Sequence, residues 1–367
     1  MIEPEILDSS IDRQRWNEVL DSFPRTLRDI YFAPDYLGLH VPPQKGRALL
    51  FVFRKDHRQW LYPFLIEPIH NFGAGGGFFD INAPYGYGGP LSNTDDEHFL
   101  ADAHSAFTAW CQSQSVVAEF VRLHPLIDNQ RWLDPQATVL CDRETVSLDL
   151  SRFEVCQLPY DTATCYMLRR ASRLDCNISV RQAEDTFEQF VGLYLETMAS
   201  LGAEDYYYFD PAYFGGLQKL VQRTGWLVVA EAADGWVAAS LFLRGANWLH
   251  YHLAAARPDR RLPGIANLLI HTAAQVGHES GLSLLHLGGG RTASPQDNLL
   301  KFKATMAPNR HQFRIAKRVH RPAVHLELCD AWRQAHPELV PLYGQRVLCY
   351  HHVPRVNADW VPGGLGL

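Results

Sequence analysis

LLHLGGGRTASPQDNLLKFK, residues 284–303, is the stretch on which the reading of this chain turns. Leu284, Leu285 and Leu287 read as a short buried strand, and Gly288, Gly289 and Gly290 follow it at once. Glycine admits positive φ and lets another group approach main-chain N–H closely, as a site for a carbonyl oxygen or a phosphate requires. A helix is expected to begin near Ser294-Pro295, a capping residue followed by the proline favoured at the first helical position. Lys301 and Lys303 fall near its end. A strand that merely turns sharply into a helix would use the same glycines.

The stretch also resembles the FemAB-like branch of the GNAT acyltransferases, through Leu285-His286-Leu287-Gly288-Gly289-Gly290, then Arg291, Asp297, Leu300 and the Phe302-Lys303 pair. Other segments agree in order: Ala83-Pro84-Tyr85-Gly86-Tyr87-Gly88-Gly89-Pro90, Arg122-Leu123-His124-Pro125, Ala203 with Tyr207-Tyr208-Phe209, and His250-Tyr251-His252-Leu253. The family includes peptidoglycan aminoacyltransferases that use aminoacyl-tRNA, and BioF2-like acetyltransferase domains. The resemblance implies an α/β fold of two tandem GNAT-like domains, with mixed sheets flanked by helices and the ligand cleft between the halves. We place the first domain over residues 1–155 and the second, with the donor loop and the LGGG and FK segments, over 156–367.

A chain of 367 residues is long enough for two domains, and 47% apolar content supplies a sizeable core. The formal net charge of -6 argues against non-specific coating of nucleic acid, which depends on dense Lys and Arg, and no DNA partner is expected. Seven cysteines with no CxxC pair fit reduced thiols better than a disulfide framework. The N-terminal MIEPEILDSS is acidic and has no apolar signal segment, and no stretch approaches the length of a membrane span. A cytoplasmic location is expected.

Along the chain, a helix capped at Ser9-Ser10 carries Trp16, Val19 and Leu20, and a second covers Pro34 to Leu39. Arg47 to Arg54 and Trp60 to Ile69 read as a hairpin around Lys55-Asp56-His57-Arg58. The tract from Asn71 to Asn93 is too rich in glycine for either element, a helix spans Asp95 to Gln112, and a strand spans Val116 to Leu123. Thr145 to Leu150 alternates and is expected to close this half. Helices follow over Tyr160 to Leu174, Asp185 to Leu201 and Pro211 to Arg223. Strands at Trp226 to Glu231, Val237 to Arg244 and Trp248 to Ala255 come next, then a helix from Ile265 to His278 and the strand Leu282 to Leu287. Hairpin, loop, helix, strand thus occurs twice, which points to a duplicated α/β unit.

Arg261-Leu262-Pro263-Gly264-Ile265-Ala266 fits the loop with which GNAT enzymes hold the pyrophosphate of coenzyme A. It follows a predicted strand and opens a predicted helix, so Arg261, Gly264 and Ala266 are candidate donor contacts, with Arg257 and Arg260 beside them; a plain turn into a helix is the alternative. In the aromatic, acidic loop from Phe72 to Pro90, Asp80 is the candidate carboxylate for orienting or deprotonating an acceptor amine. By the family resemblance the segment with Tyr85 and Tyr87 lies near the acceptor groove, a surface excursion stiffened by stacked tyrosines being the alternative, and the second aromatic cluster, with Tyr207 and Tyr208, would meet it across the cleft. His250 and His252 share one face of a strand, but without HExxH or a nearby cysteine no metal site is assigned. His252 and His286 are expected at the ends of neighbouring strands, where cleft residues collect, while His124 and the His351-His352 pair fit an ordinary core or surface place equally well. The basic run Arg310 to Arg321 is expected on a solvated edge strand; with Arg169, Arg170 and Arg173 it is where a tRNA donor would be contacted.

These residues describe an acyltransferase that moves an acyl or aminoacyl group from an activated donor onto an amine. The amine must lose a proton and the tetrahedral oxyanion needs donors. Gly288, Gly289 and Gly290 would supply N–H groups, Arg291 would help bind substrate, and Lys303 would supply positive charge. No tightly bound cofactor is expected. The Arg261 loop favours an acyl-CoA donor and the wider resemblance favours aminoacyl-tRNA. The acceptor is a small-molecule or precursor amine: a cell-wall precursor, an amino sugar or a natural-product amine. A non-catalytic GNAT-like module that binds a peptide or polymer is the alternative.

Overall fold

A computed structural model describes residues 3–41, 46–70, 77–151, 160–183, 186–204, 207–260 and 262–352. The first half of the chain gives β1 (Glu5–Asp8), α1 (Arg13–Asp21), α2 (Pro34–Gly38), β2 (Arg47–Lys55), β3 (Arg58–Pro68), β4 (Phe79–Asn82), β5 (Leu91–Ser92), α3 (Glu97–Ser113), β6 (Val116–Arg122) and β7 (Thr138–Asp149). The second half gives α4 (Thr162–Ala171), β8 (Asn177–Arg181), α5 (Phe187–Leu201), α6 (Pro211–Thr224), β9 (Gly225–Ala232), β10 (Gly235–Arg244) and β11 (Trp248–Ala256). It continues with α7 (Ile265–Glu279), β12 (Leu284–Gly289), α8 (Asn298–Ala304), β13 (Asn309–Val319) and α9 (Pro322–Ala335).

Among the described residues these strands build one sheet in the order β1-β2-β3-β4-β6-β13-β7-β12-β11-β10-β9-β8, with β5 against β3. The order reads alike from either edge. Each half begins with an antiparallel run, β1 to β4 and β8 to β11. Each then adds one parallel neighbour reached through a single helix, β6 after α3 beside β4, and β12 after α7 beside β11. The duplicated α/β unit is therefore visible as topology.

What the alternation in sequence does not contain is where the last strand of each unit goes. β13 pairs with β6, β7 pairs with β12, and β13 and β7 pair with each other at the centre. Each half thus completes its sheet with the other's strand, so a cut at residue 155 passes between units that interlock. Thr145 to Leu150 does not close the first half, and the basic run of β13 is a central strand rather than an edge. Within it Phe313, Ala316 and Arg318 are buried while Arg310 and Gln312 are exposed. Two short strands, β4 and β5, also form inside the glycine-rich tract, whose residues 71–76 lie outside those described.

Aromatic packing of Trp16, Phe51, Trp60, Phe99 and Phe107 under α1 and α3 fills the first half, and each such ring contributes roughly 1.5–3 kcal/mol by leaving water. The second half of the sheet is covered on both faces. Leu249, Leu285 and Leu287 pack on α7; the opposite face packs on α5 and α6, together with Ile30, Tyr31 and Tyr36 from the N-terminal segment. Because side chains alternate along a strand, this second face receives His250, His252 and His286, at the seam between the halves.

Candidate active site

The glycine triplet divides by role. Gly288 has φ +72, in the left-handed region, and a Cβ placed on it would stand 3.6 Å from the Tyr87 hydroxyl and 3.7 Å from the Lys303 ammonium. The other two glycines are explained by packing. A Cβ on Gly289 would meet the Glu144 carbonyl at 2.6 Å, and one on Gly290 would meet the Asp297 carboxylate at 2.4 Å. N–H donation from all three was expected, but Gly288 and Gly289 are in register with Val146 and Thr145 of β7. At the end of β12 the Tyr87 phenol and the Lys303 ammonium bound a small niche over Gly288 that would just take a methyl group.

α8 begins later than Ser294, at Asn298, because Asp297 is its cap. Asp297 Oδ1 accepts from the N–H groups of Leu299 and Leu300 at 2.9 and 3.0 Å. Its Oδ2 accepts from the N–H groups of Arg291 and Thr292 at 3.1 and 3.0 Å. One carboxylate therefore fixes the glycine turn to the helix that carries Lys303. Lys303 is only 8% exposed; its Nζ donates to the Gly289 carbonyl at 2.8 Å and lies 5.6 Å from the centre of the Tyr251 ring. Burial pulls its ammonium down to about 8. Burial also raises the Tyr87 phenol well above its ordinary value, so its hydroxyl stays protonated. Arg291 is exposed, and its carbonyl accepts from Arg143 at 3.0 Å.

Behind the niche lies a chain of imidazoles. His286 packs 5.3 Å from Tyr87 and 5.5 Å from His250, ring centre to ring centre, and its Nε2 has no hydrogen-bond partner. His252 takes part through Nε2, which lies 2.9 Å from the Tyr213 hydroxyl, and its ring meets Tyr85 at 5.5 Å. Tyr85 also meets Phe209 at 5.5 Å, while the Tyr207 carbonyl accepts from Tyr194 at 2.8 Å and Tyr208 is half-buried. Tyr85, Phe209, Tyr213 and His252 thus form one continuous aromatic wall, with Tyr207 and Tyr208 at its side.

Two residues that sequence reasoning passed over stand at the centre. Asp29 is buried, and its Oδ2 accepts from His124 Nε2 at 2.6 Å and lies 2.7 Å from His250 Nε2. Despite the energetic penalty of burial, the two imidazoles hold its carboxyl below the ordinary range. Asp29, His124 and His250 bring ligand-type atoms within 4.8 Å of one another. The His124 ring decides against reading them as metal ligands: its Nδ1 accepts from the Leu126 N–H at 3.3 Å, so the proton sits on Nε2, which has no lone pair left for an ion. His124 is therefore a clamp on Asp29 rather than an ordinary core histidine. Its segment carried a signal, the Arg122-to-Pro125 match; Asp29 carried none.

Asp80 is not part of this constellation. It is fully buried in β4, where Oδ1 accepts from the Ala118 N–H at 3.0 Å and the Tyr350 hydroxyl at 3.1 Å, and Oδ2 accepts from His351 Nε2 at 2.7 Å. These donors commit its carboxylate to fastening the C-terminal segment, which leaves it no acceptor amine to orient. In the expected donor loop, Arg261 lies outside the described residues. Gly264, with φ +86, is required by packing, since a Cβ there would stand 2.4 Å from the Met167 carbonyl of α4; Ala266 sits in the first turn of α7. Arg257 pairs with Asp234 and Asp259 at 2.9 and 2.7 Å, and Arg260 pairs with Asp234. Acidic neighbours therefore offset the positive charge expected to receive a pyrophosphate. No helix among the described residues is long and apolar enough to cross a membrane.

Residues 166–303 match the acetyltransferase (GNAT) domain family. No curated protein matches the chain significantly in sequence. Among solved structures the chain is similar to FemX, with a TM-score of 0.64 at 9% identity over 88% of this chain and 99% of that one. It is similar to the C-terminal domain of a putative lysylphosphatidylglycerol synthetase from Agrobacterium fabrum, with a TM-score of 0.56 at 12% identity over 90% and 96%. A tandem GNAT protein from the clavulanic acid biosynthesis pathway aligns with a TM-score of 0.52 at 10% identity over 87% and 99%. The match begins in α4 and ends on Lys303, so it takes in His250, His252, His286 and the glycine turn. Residues 166–303 thus match the GNAT domain family, in a chain whose whole fold is similar to that of FemX and of a tandem GNAT protein.

Proposed function

We propose that the protein transfers an acyl or aminoacyl group from an activated ester or thioester onto an amine, forming an amide at the niche over Gly288. The observation that carries this reading is the convergence of the Lys303 ammonium and the Tyr87 hydroxyl on the one left-handed glycine of the turn. Attack of an amine on an acyl carbon creates an oxyanion, and donors fixed in advance around that oxygen stabilise it without reorganising during the reaction. A buried ammonium and a protonated phenol are such donors, and low water content strengthens both.

The aromatic wall of Tyr85, Phe209, Tyr213 and His252 supports an acceptor with an apolar or ring-shaped body beside its amine. Two donors fit, acyl-CoA and aminoacyl-tRNA. The pairing of Arg257 and Arg260 with acidic neighbours weakens the first, and the central position of β13 leaves its basic residues a less open surface for the second. The test is a thermal-shift comparison with acetyl-CoA and with alanyl-tRNA, followed by mass spectrometry of primary amines incubated with whichever donor stabilises the fold. Amide formation is expected with that donor. A fold stabilised by neither donor, with no amide formed, would refute the proposal.

A further inference from the structure

The seam between the halves holds an unusual concentration of unsatisfied polar atoms. Among the described residues, His40 Nε2, Thr145 Oγ1, both ring nitrogens of His250, His252 Nδ1 and His286 Nε2 are buried without a hydrogen bond of good geometry. Buried polar atoms are normally paired, so a row of them at one place marks where water or the polar atoms of a substrate belong. Thr145 is in register with Gly289, and His286 touches Tyr87. The row therefore runs from the niche over Gly288 inward to His250.

His250 differs from the other histidines of the row in what stands behind it. Its Nε2 lies 2.7 Å from Asp29 Oδ2, with the ring turned off the ideal hydrogen-bond line. A nitrogen this close to a carboxylate oxygen must carry the proton, because a lone pair would be repelled. Nδ1 is then the lone-pair nitrogen, and it has no hydrogen-bond partner of its own. Asp29 is itself fixed, with Oδ1 accepting from the Ile30 N–H at 2.7 Å and Oδ2 accepting from His124. An imidazole oriented through one nitrogen by a buried carboxylate, with the other nitrogen open, is the arrangement of a general base.

Resting on the transferase reading above, we propose that His250 is the general base that takes the proton from the acceptor amine, with Asp29 as its positioning carboxylate and His124 as the clamp on Asp29. The amine N–H proton passes to His250 Nδ1, directly or through one water at the His286 edge, as the nitrogen lone pair forms the bond to the acyl carbon. Collapse of the tetrahedral intermediate breaks the C–O bond of an ester donor or the C–S bond of a thioester donor. The leaving oxygen or sulfur recovers the proton from the His250 imidazolium, which returns the base to its starting state. His286 is less suited to this step. Burial and the positive fields of His250, His124, His311 and Lys303 push it well below the imidazole range, and no carboxylate backs it. The groups facing His250 are Asp29, Tyr31 at 4.8 Å, His124 at 5.9 Å and His286 at 5.5 Å between ring centres, with His252 along its own strand. Asp29 is the one anion among them.

The experiment has a substrate-independent arm and a turnover arm. In protein labelled with ¹⁵N-histidine, the resonances lost in His250→Gln should report an Nε2–H tautomer with an unprotonated Nδ1. An Nδ1–H tautomer would overturn the proposal. With acetyl-CoA or alanyl-tRNA and a primary amine, His250→Gln should lower kcat by about 10²- to 10⁴-fold and erase the acidic limb of the pH–rate profile, with the donor thermal shift retained. Should His250→Gln fail to fold, Asp29→Asn serves in its place, with a smaller fall in rate and the donor thermal shift again retained. Wild-type protein that turns over while His250→Gln matches it would overturn the base. Wild-type protein inactive with both donors would instead overturn the transferase reading on which the base rests.

Discussion

Replacing Lys303 with methionine should make the protein more stable at neutral pH while removing its activity. The ammonium is buried, and burial lowers it from 10.5 to about 8. Keeping the charged form folded at pH 7 therefore costs about 3 kcal/mol relative to the unfolded chain. Methionine is free of that cost but leaves the Gly289 carbonyl without the donor now at 2.8 Å, a loss of about 1–3 kcal/mol. The net gain at pH 7 is about 1 kcal/mol. The pH dependence separates the two contributions. Between pH 8 and 10.5 the unfolded lysine is protonated while the folded one is not, so wild-type stability rises with pH across this window. Methionine does not titrate. Urea unfolding of both proteins from pH 7 to 10.5 should show the wild type gaining about 3 kcal/mol on the variant, with the tyrosine and cysteine contributions common to both cancelling. A difference that stays flat with pH would refute the claim that the niche holds a desolvated ammonium.

Lys303→Ala should lower kcat/KM for amide formation by about 10²- to 10³-fold, the range seen when one oxyanion donor is lost, and Lys303→Arg should recover only part of it; steady-state kinetics near the wild-type rate would show Lys303 to be a spectator. Gly288→Ala should fold, since the nearest side-chain atoms stand 3.6 and 3.7 Å from the new methyl, yet lose activity by filling the niche. Its positive φ should cost about 1–2 kcal/mol, measurable as a lowered urea midpoint. Asp80→Asn should loosen residues 347–352 and cost about 3 kcal/mol, read by hydrogen exchange, with no direct effect on chemistry. Burial alone would lower His351, but its hydrogen bond and charge contact with Asp80, aided by Glu67, leave it raised. The stability from that contact is present in full below the unfolded value of 6.5 and is lost as pH rises through the raised value. Protection of this segment in the wild type should weaken accordingly, and Asp80→Asn should abolish the dependence.

Much of the architecture was legible in the sequence because it is local. Trp16, Val19 and Leu20 recur at helical spacing, and the runs on either side of Lys55-Asp56-His57-Arg58 alternate around a tight turn; both patterns fix an element without reference to anything distant. The glycine turn was legible for the same reason, and so was Lys303, one of six lysines against 28 arginines. The helix start was misplaced because Ser294 and Asp297 are both capping residues. Asp297 prevails because its second oxygen can also hold Arg291 and Thr292, an advantage that spacing does not reveal.

Tertiary structure alone decided where strands of opposite halves meet and which polar groups share a site. Nothing in the alternation of residues 138–149 or 309–319 states that each completes the other half's sheet, since either partner would satisfy the same backbone hydrogen bonds. Asp29, His124, His250 and His286 are scattered along the chain and show no common spacing. They meet because the N-terminal segment folds across the second half of the sheet and its Tyr31 and Tyr36 are buried there. Asp80 illustrates the converse: a carboxylate in a loop that reads as functional, neutralised in its role by Tyr350 and His351 from the far end of the chain. The sequence could name residue types suited to acyl transfer. Which of them keep an open lone pair or an unspent donor depends on long-range partners, which only the closed chain supplies.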